Sequence, residues 1–302
     1  MPPLRIATRK SVLAQWQADL IIAELERRFN VACEKVLIST KGDQILDVTL
    51  DKIGGKGLFV KEIETALLNG DADAAVHSMK DVPAELPEGC ELAAMLLRDD
   101  VRDAFVARDG IGFFDLPSGA KIGTSSRRRE QQLRLLRPDI QVVPIRGNVQ
   151  TRLNKLQSEA LDGTILAAAG LNRLNLTAVI TEYFTPQQMI PAVGQGALGV
   201  EILADHPHAA LFRQLNDATT RLCVEAERQF MRTLNADCHA AVGAYAWLES
   251  DVLRILGMFE VNNRIVVRET SGSPDDSLIL GQQLAESIFL ITPDRGLFNP
   301  NE

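Results

Sequence analysis

One pattern limits the possible folds more than any other: short apolar strands alternate with amphipathic helices, the alternation restarts near residue 100, and it stops near residue 218. In the first round Leu4–Thr8 reads as a strand, a helix begins at Ser11, Val31–Ser39 is a second strand, and a helix around Phe59–Asn69 precedes the buried-type strand Ala72–Met79. The second round runs from strand Ala104–Arg108 through strand Lys121–Gly123, a helix from Ser125 or Ser126, strand Gln141–Arg146, a helix from Asn148 and strand Thr164–Ala168. Such alternation builds a parallel-sheet α/β layer, here twice over. In the first helix Leu13, Trp16, Leu20 and Ala23 supply the apolar stripe expected to face the sheet. Beyond residue 218 the pattern changes to a long helix (Ala218–Leu234), three strands (Ala240–Leu248, Val252–Phe259, Arg264–Glu269) and a last helix (Asp276–Phe289). That order predicts a small α+β domain with a three-stranded antiparallel sheet.

Ligands of open α/β sheets bind beyond the carboxyl ends of the strands, against helix N-termini. Charge suggests what kind of ligand. The chain carries a net charge of −8, yet residues 121–155 hold nine basic and two acidic side chains, so that window is +7 and the remainder −15. A basic stretch in an acidic chain argues for a small polyanion. Nucleic acid is disfavoured, because an acidic protein with 5% aromatic residues lacks the general footprint for it. No apolar run approaches the roughly 18–20 residues of a membrane helix. Met1-Pro2-Pro3-Leu4 leads straight into strand-like sequence, so no secretory signal is expected. The four cysteines (Cys33, Cys90, Cys223, Cys238) show no C-x-x-C spacing and signal neither a disulfide framework nor a zinc site. Cys33 and Cys223 lie on apolar patterns and read as core residues. A reducing, cytoplasmic location is the expectation.

Three strand-to-helix turns carry candidate chemistry: Thr8-Arg9-Lys10-Ser11, Gly123-Thr124-Ser125-Ser126-Arg127-Arg128-Arg129, and Arg146-Gly147-Asn148 with Arg152. Each combines free backbone N–H groups, a helix dipole and a guanidinium, which suits carboxylate or phosphate. One such turn is more simply a helix cap; three at equivalent places favour an anion site. Three adjacent arginines in a first helical turn also oppose the helix dipole and call for anionic compensation. Gly54-Gly55-Lys56-Gly57 lacks the G-x-x-x-x-G-K-[ST] pattern, so it reads as a flexible lid, with Lys56 and Phe59 as lid residues. Lys80-Asp81 follows a buried strand and is stopped by Val82-Pro83, where α/β proteins place catalytic groups, although a loop ion pair fits the spacing equally well. Cys238 stands between a helix and a strand, in a turn.

Taken in order, several runs resemble the porphobilinogen deaminase (hydroxymethylbilane synthase) family. They are Ile6-Ala7-Thr8-Arg9, Gly54–Glu62, Ala75-Val76-His77-Ser78-Met79-Lys80-Asp81-Val82-Pro83, Gly123-Thr124-Ser125-Ser126 with Arg128-Arg129, Arg146-Gly147-Asn148, and Pro191-Ala192-Val193-Gly194-Gln195-Gly196-Ala197. The resemblance extends from Leu4 to the final helix. It implies two periplasmic-binding-protein-like (type II) α/β domains, residues 1–97 with 192–216 and residues 98–191, followed by an α+β domain over 217–302. It implies an enzyme that condenses four porphobilinogen molecules head to tail, with loss of ammonia, onto a covalently bound dipyrromethane primer, and then hydrolyses off the linear tetrapyrrole. No metal or nucleotide is implied, and a monomer is expected.

By the same resemblance, Cys238 carries the cofactor through a thioether, and Lys80, Asp81, Ser126, Arg128, Arg129 and Arg152 bind it. Arg9, Ser11, Arg146, Arg152, Arg173 and Gln195 bind the substrate or growing chain, and Asp81 is the catalytic carboxylate. The chain departs from the family pattern with Ala236-Asp237 in place of Gly-Gly before Cys238, Arg127 in place of an apolar residue, and Val12 in place of proline. A non-catalytic solute-binding or effector-sensing protein on the same scaffold is the alternative.

Overall fold

The computed structural model describes residues 2–44, 57–236 and 240–290. Lys56 and Cys238 lie outside the described residues. The chain divides into two compact units, one of residues 1–46, 55–99 and 197–221, the other of residues 47–54, 100–196 and 222–302.

The first unit contains β1 (Leu4–Arg9), α1 (Val12–Phe29), β2 (Cys33–Ile38), α2 (Lys41–Gln44), α3 (Lys61–Leu68), β3 (Ala74–Ser78) and β4 (Cys90–Met95). The second contains β5 (Asp103–Ala107), β6 (Lys121–Gly123), α4 (Arg127–Leu136), β7 (Gln141–Val143), α5 (Val149–Ser158), β8 (Gly163–Ala167), α6 (Ala168–Arg173) and β9 (Glu182–Tyr183). The chain then re-enters the first unit with β10 (Leu198–Leu203) and α7 (Ala209–Arg213). After α8 (Ala218–Thr233) come β11 (Val242–Glu249), β12 (Val252–Val261), β13 (Arg264–Gly272) and α9 (Ser277–Phe289).

Both five-stranded sheets follow one plan. The first is ordered β2-β1-β3-β10-β4, the second β7-β6-β8-β5-β9. Within each, three strands are parallel and joined by helical crossovers, while the fourth (β10 or β5) runs antiparallel to its neighbours. The sheets are thus mixed rather than parallel. The antiparallel strand in each case enters from the segment connecting the two units, not from a βαβ crossover. Three strands escaped sequence reading. Leu198–Leu203 is buried almost throughout and shows no alternation, and Cys90–Met95 and Glu182–Tyr183 carry equally little pattern.

The first helix is also out of phase with the expected stripe. Its buried residues are Ala14, Gln17, Ala18, Ile21 and Leu25, whereas Trp16 and Ala23 are exposed and Leu13 and Leu20 only half-buried. The true face mixes small residues with a glutamine that bonds to Ser78, so side-chain size misled the periodicity. Ala18, Ile21 and Leu25 pack with Leu4, Ile6, Val76 and Val200 in the core of this unit. Val12, where the family has proline, is a surface position, 70% exposed. Cys223 is buried as expected, but Cys33, on the sheet-edge strand β2, is only half-buried.

The last part of the second unit is the antiparallel meander β11-β12-β13, with α9 against β12 and β13 and α8 tied to β11 by the Ala246 N–H donating to Glu227 Oε1 at 2.8 Å. Gly257 permits the close approach, since a Cβ there would stand 2.8 Å from both Phe230 Cζ and Leu284 Cδ2. Among the described residues no helix is long and apolar enough to cross a membrane.

Candidate functional site

In the first unit the carboxyl ends of parallel β1, β2 and β3 share one sheet edge, and the chain places Arg9 and Ser11, Thr40 and Asp43, and Ser78 to Asp81 there. Ser11 caps α1, its hydroxyl accepting the Ala14 N–H at 3.3 Å. Arg9 is held on three sides. Its Nε donates to Asp43 Oδ2 at 3.1 Å, and its Nη2 pairs with Asp43 Oδ1. Its guanidinium lies over the Phe59 ring, 4.4 Å from the centroid, and Nη1 is 3.8 Å from Asp81 Oδ2. Thr40 holds the same Asp43 Oδ2, its hydroxyl donating at 2.8 Å. Burial pushes the Asp43 carboxyl up, but the hydrogen bonds and charge of Arg9 outweigh it and hold the group below the ordinary carboxylate range. Phe59 therefore serves as a platform for Arg9, packed so close to Gly42 that a Cβ there would lie 2.4 Å from the ring. The lid reading of Gly54, Gly55 and Lys56 falls outside the described residues.

Asp81 ends a 3-10 turn, Met79–Asp81, whose first residue is buried and donates its N–H to Ala197 O at 3.0 Å. This anchor leaves Lys80 half-buried and Asp81 one-third exposed at the sheet edge. Deeper in the unit lies a cluster of ionisable side chains that sequence reading missed. His77 Nε2 is 2.9 Å from Glu201 Oε2, both fully enclosed. Burial and the Glu201 charge push the nearby Glu64 carboxyl up to about 7, and burial with Glu201 pushes the Cys90 thiol up to about 12. The sequence signal was His77 itself, an imidazole in an otherwise apolar strand.

In the second unit the carboxyl ends of β6, β7 and β8 lead into α4, Arg146 with α5, and α6. Ser126 and Asn148 cap α4 and α5, accepting the N–H groups of Arg129 at 3.4 Å and Thr151 at 2.9 Å. All three turns singled out from sequence thus use their polar side chain as a cap.

The three consecutive arginines find their compensation within the protein. Arg127 is exposed and makes a two-pronged bond to Glu260 on β12, 2.7 Å at each nitrogen, which accounts for an arginine at a usually apolar position. Arg128 and Arg129 are buried and converge on Asp103, itself 0% exposed. Arg128 Nη2 donates to Asp103 Oδ2 at 2.8 Å; Arg129 donates to Oδ1 through Nε at 3.1 Å and Nη2 at 2.7 Å. Gln195 adds a bond to the same Oδ1 at 3.1 Å and one to Val101 O at 2.7 Å. Burial alone would raise the Asp103 carboxyl, but the two guanidiniums hold it far below its ordinary value. Carbonyls take further donors, Ile190 O from Arg128 at 2.6 Å and Ile165 O from Arg129 at 3.0 Å.

At least six of the nine bases in the 121–155 window are ion-paired with carboxylates. The window is consequently not one open basic surface. Arg146 is buried, which pushes its guanidinium down. Arg152 Nε donates to Gly147 O at 2.9 Å, and buried Arg173 donates to Gly196 O at 2.6 Å.

Asp103 was missed in the sequence because its partners lie 25 and 26 residues away. Its replacement should be costly. Asp103→Asn keeps the shape but leaves two buried guanidiniums facing a neutral amide, and breaking a buried pair of this kind costs about 3 kcal/mol or more. A urea-unfolding midpoint close to that of the parent protein would show that the cluster is not a structural keystone.

Comparison with known proteins bears on both units. Residues 4–210 match the family model "Porphobilinogen deaminase, dipyromethane cofactor binding domain", and residues 221–289 match "Porphobilinogen deaminase, C-terminal domain". A porphobilinogen deaminase of Clostridium botulinum is 56% identical over 283 residues, covering 94% of this chain and 98% of the relative. That of Clostridium acetobutylicum is 58% identical over 285 residues, with the same coverage. Among solved structures, the BvgS VFT2 domain of Bordetella pertussis aligns at 13% identity with a TM-score of 0.44, covering 71% of this chain and 86% of that one. So distant a likeness adds nothing to the sheet topology already described. The family models, by contrast, take in both sheet-edge clusters, and the full-length relatives leave little of the chain unmatched. This chain belongs to the porphobilinogen deaminase family, transferases of tetrapyrrole biosynthesis built around a dipyrromethane cofactor.

Proposed function

We propose that this protein is a hydroxymethylbilane synthase, joining four porphobilinogen molecules head to tail with loss of ammonia and releasing the linear product by hydrolysis. The observation that carries the reading is Asp81. It is a partly exposed carboxylate fixed at the end of β3, with the Arg9 guanidinium 3.8 Å away on the same sheet edge. Porphobilinogen presents two carboxylates and an aminomethyl group. Arg9 and Ser11 in one unit, and Arg146, Arg152 and Arg173 in the other, offer donors suited to those carboxylates.

The donor set also fits a dipyrromethane. Its carboxylates need cations and hydroxyls; that role falls to Lys80 in one unit and to Ser126, Arg128, Arg129 and Arg152 in the other, with Arg128 and Arg129 contributing only the N–H groups not already given to Asp103 and the Ile190 and Ile165 carbonyls. When bound, the dipyrromethane supplies the pyrrole carbon at which chain growth begins. Gln195 acts on this set through Asp103. Asp81, for its part, faces the substrate's reacting end. Loss of ammonia leaves a cation conjugated with the pyrrole ring; an ionised carboxylate stabilises that cation, and in its protonated form assists the departing amine.

A monomer working in the cytoplasm is part of the proposal, and the three described cysteines, all unbridged, agree with a reducing compartment. The test is the intact mass of freshly purified protein. It should exceed the sequence mass by two porphobilinogen units less two ammonias, and a non-catalytic binding protein on this scaffold would show no such excess.

A further inference from the structure

Arg9 faces two carboxylates but bonds closely to one. A guanidinium has two edges able to grip a carboxylate, and in Arg9 the Nε–Nη2 edge is taken by Asp43. Asp81 meets only Nη1, at 3.8 Å, beyond hydrogen-bond distance. The allocation is built in. Asp43 is anchored by the hydroxyl of Thr40, which is itself fully buried, and the guanidinium plane is seated on Phe59. Remove the charge of Asp43 and the nearest carboxylate left for Arg9 is Asp81, within a small rotation of the side chain. A carboxylate locked in a full ion pair is a weaker proton acceptor, and less of its field is left for a nearby cation.

We propose that Asp43 is a positioning residue that keeps Arg9 off Asp81, so that the Asp81 carboxylate meets the substrate's cationic end uncompensated by a neighbouring guanidinium. This rests on the role given to Asp81 above and adds a residue to which no role has yet been attached. The local balance is part of the inference. Arg9 with Asp43 and Asp81 sums to one negative charge, which suits the ammonium that porphobilinogen brings and the cation formed when ammonia leaves.

The test uses full-length protein carrying its cofactor. Asp43→Asn should slow single-turnover addition of porphobilinogen by about 10- to 100-fold, the effect of an arginine closing on a carboxylate. Because Arg9 also serves a substrate carboxylate, the porphobilinogen concentration giving half the maximal rate should rise as well, but by less than the rate falls. Asp43→Glu, which keeps the charge, should restore most of the rate. In a crystal structure of Asp43→Asn, Arg9 should lie within hydrogen-bond distance of Asp81. Thr40→Val, which loosens Asp43 without discharging it, should move the rate in the same direction by less. The proposal is overturned if Asp43→Asn turns over normally, if only its half-saturating concentration rises, if Arg9 stays in place in the variant crystal, or if neither variant folds. The Arg9 position is read without reference to turnover. It therefore separates failure of this inference from failure of the role assigned to Asp81, which normal rates in Asp81→Asn would reveal.

Discussion

Cys238→Ser is expected to yield a folded protein with no covalent adduct and no turnover. The argument comes from sequence and from what flanks the residue, since Cys238 lies outside the described residues. Helix α8 stops at Thr233, Asn235 takes a left-handed backbone (φ 49°), and β11 begins at Val242, so in sequence the cysteine falls between α8 and the edge strand β11. A thioether formed there attaches a cofactor to a connection anchored on both sides. Serine keeps the size and polarity but lacks the nucleophilic sulfur, because the reactive species is a thiolate. The stability of the variant should be close to that of the cofactor-free parent, which separates lost attachment from lost folding. Peptide mapping of the parent protein should place the whole mass excess on Cys238. An adduct that survives in Cys238→Ser, or full activity in an unmodified protein, defeats the assignment. The residues preceding it, Ala236 and Asp237, make the measurement informative, since an added carboxylate next to the attachment point should slow loading of a polyanionic group without changing its site.

The architecture was legible in the sequence wherever an element had a pattern of its own. Strand-helix alternation marked both α/β layers, and the change after residue 218 marked the antiparallel meander. What escaped were features decided by distant partners. Leu198–Leu203 reads as a featureless apolar run, and only pairing with β3 and β4 makes it the strand that turns a parallel sheet into a mixed one. The face of α1 was misread because Gln17 is buried by its bond to Ser78, 61 residues away, while bulky Trp16 points outward. The same holds at the site. Arg9, Ser11, Lys80 and Asp81 were legible because each follows a recognisable strand. Asp103 was not, nor was the pairing of Asp43 with Arg9, although these two carboxylates decide where the arginines point. The +7 window illustrates the difference. Its charge count is real, but Asp103, Glu260, Glu130, Asp139 and Glu159 engage most of it, and a linear sequence does not display such pairings.

Asp81→Ala is expected to lower turnover by about 10²–10⁴-fold, the range for removal of a positioned acid or base. The expectation follows from where the carboxylate stands. The 3-10 turn that carries it is pinned by buried Met79, and its neighbour Arg9 is held at 3.8 Å with its gripping edge committed to Asp43. Asp81 is therefore partly exposed and oriented, which is what a group facing a developing cation requires. Binding of porphobilinogen should weaken far less, because its carboxylates are the business of arginines. Asp81→Asn should be nearly as slow as alanine, since an amide retains an acceptor oxygen but neither the negative charge nor a transferable proton. Asp81→Glu keeps both and should retain more activity, limited by the displacement of the carboxylate by one methylene. The measurement is single-turnover formation of enzyme-bound intermediates on protein already carrying its cofactor, so that failed loading is not mistaken for failed chemistry. Near-normal rates in Asp81→Asn would take Asp81 out of the mechanism. Asp43 would then be the remaining carboxylate in contact with Arg9 at that sheet edge, and the roles of the two would have to be exchanged: Asp81 as the lesser contact of Arg9, Asp43 as the group that meets the cation.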